Sequence, residues 1–129
     1  MRAIILTLVS VLLMLSTQPV AVAQATSLVG TYDCRGNDGT EDYLATVTIT
    51  LRKETYYVTW DKEGQTGYWG IGRMEGGQLI VAYGNPKSLG LAMYRRDGAR
   101  LIGRWVDLGD EKGEVPPETL TPAGTRAAK

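Results

Sequence analysis

The chain has 129 residues, with 14 basic and 14 acidic side chains, no histidine, no phenylalanine and one cysteine. That length predicts one domain, and balanced charge excludes a nucleic-acid binder driven by phosphate neutralisation. Lack of histidine removes the commonest general base and zinc ligand, and a single cysteine excludes a disulfide framework or a four-thiolate metal site.

The N-terminus begins with a positive charge at Arg2, followed over residues 3–15 by an almost wholly apolar run broken only by Thr7 and Ser10. Ser16-Thr17-Gln18-Pro19 interrupts it, and Ala21-Val22-Ala23 offers a small-x-small cleavage site. This three-part layout predicts a secretory signal peptide over residues 1–23, with Ala23-Gln24-Ala25 as a second cleavage option. The run is shorter than the roughly 20 residues needed to span a bilayer, so no integral membrane anchor is expected after cleavage. The expected location is periplasmic or secreted. Of the charged residues only Arg2 lies in this segment, while all 16 glycines lie beyond it.

From Gln24 onward the pattern is strand after strand. Thr31 opens a short first segment over residues 31–35. Ala45, Val47, Ile49 and Leu51 then alternate with Thr46, Thr48 and Thr50, the period of two in β-branched residues that marks a strand. After Arg52-Lys53-Glu54 the alternation resumes through Tyr56, Val58 and Trp60, and Asp61-Lys62-Glu63-Gly64 turns the chain again. A glycine-punctuated strand over 67–74 leads to Glu75-Gly76-Gly77. Leu79, Val81 and Tyr83 follow, then Gly84-Asn85-Pro86. Residues 89–95, the Asp97-Gly98 hairpin signal, the alternation of Leu101, Gly103 and Trp105, and a short last stretch over 118–120 complete the series. Seven or eight strands joined by short loops predict an all-β fold, an antiparallel up-and-down barrel of about eight strands occupying residues 24–120, with a β-sandwich as the alternative. Closure removes sheet edges. Glycines at 70, 72, 90 and 103 permit strand coiling and leave room for aromatic rings inside. Residues 121–129, with no large apolar side chain, are expected to form a disordered tail.

Seven tyrosines and three tryptophans make up the aromatic set. Trp60, Trp69 and Trp105 lie on three strands, with Tyr57, Tyr68, Tyr83 and Tyr94 near them in sequence. Rings with a polar tip form either a core or the lining of a ligand site. The candidate ligand-binding set is Tyr57, Trp60, Trp69, Tyr83, Tyr94, Arg104 and Trp105, Arg104 being placed to pair with a carboxylate or an anion. Asp33, Asp38, Glu41 and Asp42 do not follow a calcium-loop spacing and read as a solvated turn. Cys34, which cannot form an internal disulfide, is buried, free or paired with another chain, and a buried thiol in a strand is the preferred reading. No nucleophile elbow, phosphate loop, metal motif or cofactor signature is found, so no catalytic residues are assigned.

In order along the chain, Gly30-Thr31-Tyr32, Gly36-Asn37-Asp38-Gly39, Thr46-Val47-Thr48-Ile49, Tyr57-Val58-Thr59-Trp60, Gly70-Ile71-Gly72, the run from Leu79 through Gly84, and Leu101-Ile102-Gly103-Arg104-Trp105 resemble a group of small exported bacterial proteins often labelled fibronectin-binding or of unknown function. The resemblance spans nearly the whole chain after the signal segment. In architecture it is similar to the avidin and lipocalin style of barrel, although the polar set that would hold biotin is not recognisable. Tyr32-Asp33-Cys34 is similar to the opening of bacterial inhibitors of C-type lysozyme, which usually carry a second cysteine and a Ser-Gly-x-x-Tyr segment that this chain lacks. The resulting expectation is a non-enzymatic binding protein that engages a protein or a small apolar ligand; the alternative is an inhibitor of lysozyme or another hydrolase.

Overall fold

The computed structural model describes residues 27–109 and 116–124; the expected signal segment and the last five residues of the expected tail lie outside them. Eight strands run in chain order: β1 (Gly30–Asn37), β2 (Asp42–Arg52), β3 (Thr55–Lys62), β4 (Gln65–Glu75), β5 (Gln78–Asn85), β6 (Ser88–Asp97), β7 (Arg100–Asp107) and β8 (Glu118–Pro122). Each pairs antiparallel with the next, and β8 pairs back onto β1, closing the barrel. The sandwich alternative is therefore excluded. Two residues of the expected tail, Thr121 and Pro122, belong to β8 and pair with Asp33 and Tyr32. Proline is tolerated there because it stands at a strand end.

Strand alternation decides which side chains face inward. Along β2, Val47 and Ile49 are buried while Thr46 and Thr50 face out; along β3, Val58 and Trp60 are buried. The turns are tight. Gly76 and Gly77 between β4 and β5 both take positive φ (55° and 78°), as do Glu63 and Gly64 between β3 and β4 (53° and 79°). Two successive residues of this kind form the turn whose twist matches that of the flanking strands.

The two ends of the barrel differ. One end, at the β2–β3, β4–β5 and β6–β7 turns, is filled by apolar side chains, among them Ile49, Leu79, Leu101 and Leu120, with Leu28 packed in ahead of β1. The Tyr32 hydroxyl donates to the Leu28 carbonyl at 2.8 Å, which fixes that plug. The other end carries the β1–β2, β3–β4 and β5–β6 loops and has a register shift at Trp60/Asp61, a bulge of the kind found at barrel rims. On the outer wall, Ile71, Ala82, Leu91 and Val106 are cross-strand partners in one exposed row over β4 to β7, with Ile80 and Met93 paired beside it.

Candidate functional site

Inside the barrel one construction recurs. Tyr94 on β6 is paired with Gly103 on β7, and Gly103 with Glu118 on β8. The Tyr94 ring lies flat across Gly103, so a β-carbon there would collide with it. This lets the hydroxyl reach over a whole strand and donate to Glu118 Oε1. Tyr83 on β5 crosses Gly90 on β6 in the same way, and donates to Asp107 Oδ1 on β7 at 2.6 Å. From the opposite side Tyr43 on β2 crosses Gly36 on β1 and donates to Glu118 Oε2 at 2.7 Å. Each bridge needs a phenol long enough to span one strand, a glycine beneath the ring, and an acceptor on the strand beyond.

Glu118 is the buried charged side chain among the described residues, 3% exposed. Its carboxylate accepts from Tyr94, Tyr43 and the Cys34 thiol, whose Sγ lies 3.4 Å from Oε2. Tyr43 in turn accepts from Trp105 Nε1 at 2.9 Å, so the indole, the phenol and the carboxylate form a chain. A buried carboxylate is tolerated only when its lone pairs are satisfied, and three donors achieve that. Burial, reinforced by the charge of Glu118, raises the Tyr43, Tyr94 and Cys34 protonation equilibria well above their ordinary values. Burial and Asp107 do the same for Tyr83. All four groups therefore remain neutral donors at physiological pH.

Above Glu118, towards the looped end, opens a cavity of about 280 Å³. Trp60, Tyr68, Tyr83 and Trp105 stand around it, Ala45 and Ala92 leave it space, and Glu118 lines its inner part. Trp60 and Tyr83 approach with centroids 5.6 Å apart, and Tyr68 meets Tyr83 edge-on at 5.7 Å. Asp107 lies four residues along β7 from Gly103, about 13 Å further along that strand on the mouth side.

Of the seven candidate residues from the sequence, Trp60, Tyr83, Tyr94 and Trp105 line this cavity. Tyr57, Trp69 and Arg104 do not; they are exposed on the outer wall. Tyr57 lies beneath the Arg52 guanidinium, 4.9 Å from its ring centroid, and Trp69 is 51% exposed. The correction follows from parity. Each of the three stands between inward-facing neighbours: Tyr56 and Val58, Tyr68 and Gly70, Gly103 and Trp105. Sequence reasoning missed Glu118 and Tyr43. The former had a signal, for it shares a strand face with buried Leu120, two positions on.

Asp38 in the β1–β2 loop accepts from the backbone N–H groups of Thr40 and Glu41 at 2.8 and 2.9 Å, the geometry of a turn stabilised by its own aspartate. Cys34 is 1% exposed, and burial pushes its thiol far up from the ordinary value of 9.0. The thiolate is the reactive form. Cys34 is expected to resist iodoacetamide in the native protein at pH 8 and to react fully in urea; rapid native labelling, read by mass spectrometry, would contradict its placement.

The sequence matches no protein-family model, and no curated protein matches it.

Proposed function

We propose that this chain is an exported, non-enzymatic binding protein that takes a small, mainly apolar ligand into the looped end of its barrel. One observation carries the reading: a cavity of about 280 Å³ lined by six aromatic side chains, with a buried and fully hydrogen-bonded carboxylate at its inner end. Aromatic walls with a few fixed polar groups are the usual makeup of small-molecule sites, and this volume lies near the lower end of their range of ~300–1,000 Å³. It suits a ligand of on the order of ten to fifteen non-hydrogen atoms. The tyrosine bridges hold the wall in place before any ligand arrives, which lowers the ordering cost of binding. The signal-like residues 1–23 support export of the folded domain.

A panel of one- and two-ring aromatic compounds, neutral, cationic and anionic, tests the reading by quenching of tryptophan fluorescence. Saturable binding is expected for part of the panel. Ala45→Phe, which places a ring in the cavity, should abolish it while the circular dichroism spectrum stays that of the parent. Tyr57→Ala and Trp69→Ala, on the outer wall, should leave it unchanged. If no compound binds, or if binding survives Ala45→Phe, the cavity is not the site.

A further inference from the structure

The charge of the ligand follows from the wall of the cavity. Among the described residues the carboxylates of Glu118 and Asp107 line it, with Asp38 at the looped end, and the cationic side chain in the lining is the exposed Lys62. No arginine among the described residues lines it. Glu118 is held by two phenols and a thiol, all of them neutral groups. They satisfy its lone pairs and leave its charge uncompensated. In a low-dielectric interior such a charge projects a strong negative potential into the space beside it. That space is bounded by Trp60, Tyr68, Tyr83 and Trp105, whose ring faces are also negative. A cation among aromatic faces gains from their quadrupoles, most when it has been desolvated, and quaternary ammonium groups are the usual beneficiaries. An anion would be repelled by both features, and a purely apolar ligand would make no use of the carboxylate.

A bare metal ion does not fit this site. Hard cations need several oxygen ligands converging on one point, whereas Asp107 stands four residues along β7 from Gly103, the strand partner of Glu118. Among the described residues no three acidic or thiol groups come together in that way.

We propose that the ligand is a small organic cation, an ammonium group on an aromatic or branched alkyl body, with its charge seated against Glu118 and its body among the four rings. This rests on the cavity being the ligand site. Fixed neutral donors hold the carboxylate where the cation arrives, so little reorganisation accompanies binding.

The experiment compares benzyltrimethylammonium with neopentylbenzene, its uncharged carbon isostere, on the full folded domain by tryptophan fluorescence. The ammonium compound is expected to bind at least about tenfold more tightly. Glu118→Gln should reduce that advantage to within about threefold, the affinity for neopentylbenzene in the same variant serving as the reference. Asp107→Asn, nearer the mouth, should reduce it less. If Glu118→Gln fails to fold, the ratio of the two isosteres in the unaltered protein still decides. Equal or tighter binding of neopentylbenzene overturns the cation assignment while the cavity stands. An advantage that persists in a folded Glu118→Gln protein overturns the role of Glu118. Binding of neither compound, or of both in Ala45→Phe, removes the cavity reading and the proposal with it.

Discussion

Above about pH 9 the barrel is expected to lose stability steeply, with the urea midpoint falling at each further step of pH. Cys34, Tyr43, Tyr83 and Tyr94 all have protonation equilibria raised in the folded state, burial being the largest cause in each. A raised equilibrium means that the folded chain keeps a proton which the unfolded chain releases near the ordinary values of 9.0 for the thiol and 10.0 for the phenols. Their contribution is therefore complete below pH 9 and is lost as pH climbs beyond the unfolded values. Each such group costs up to ~1.4 kcal/mol per pH unit there. Four together reach ~5 kcal/mol per unit, enough to exhaust a typical domain stability of ~5–15 kcal/mol within one to three units. Phenolate absorbance should rise together with the loss of the near-ultraviolet circular dichroism signal. Tyr94→Phe should lower the slope by about one proton. A urea midpoint level to pH 11 would mean that these phenols titrate freely in the folded chain.

Gly103→Ala is expected to destabilise the domain by ~3 kcal/mol or more, read from urea unfolding. The added methyl meets the Tyr94 ring, which is 2% exposed and packed in the core, so the ring cannot swing aside. Overpacking accounts for ~1–3 kcal/mol, and loss of the hydrogen bond to a charged acceptor for a further ~1.5–3 kcal/mol. Tyr94→Ala combined with Gly103→Ala isolates the clash: the double variant should lose well less than the sum of the two single losses, because the methyl then enters vacated space. A Gly103→Ala protein as stable as the parent would show that the ring has another seat.

Much of this architecture was legible from alternation alone. The strands over Ala45 to Leu51 and Leu79 to Tyr83 keep period two because one face meets the core and the other meets water. Of the four glycines expected to leave room for rings, Gly90 and Gly103 lie under Tyr83 and Tyr94, which come from the neighbouring strand rather than from across the barrel, while Gly70 and Gly72 lie against Val81. The site was legible in part. Trp60 and Trp105 share parity with the core residues of their strands, and that same rule would have set aside Tyr57, Trp69 and Arg104. What stayed hidden was the meeting of Tyr43, Tyr94 and Glu118, which joins β2, β6 and β8 across the barrel. No local pattern records such a junction. It depends on which strands become second neighbours once the sheet has closed.

That junction also bears on how the cylinder assembles. β8 is the shortest strand at five residues, and it is grasped from both flanks through the one carboxylate at its start. The hydroxyls of Tyr43 and Tyr94 can find their common acceptor only after the ring of strands has come full circle. Hairpins such as β3–β4 can form early, but the step that seals the structure joins segments far apart in the chain. That closing pairing carries a loop-closure cost greater than that of the hairpins between consecutive strands. The latch at Glu118 therefore needs β2, β6 and β8 all in place, so a chain cut short before β8 would lack it altogether.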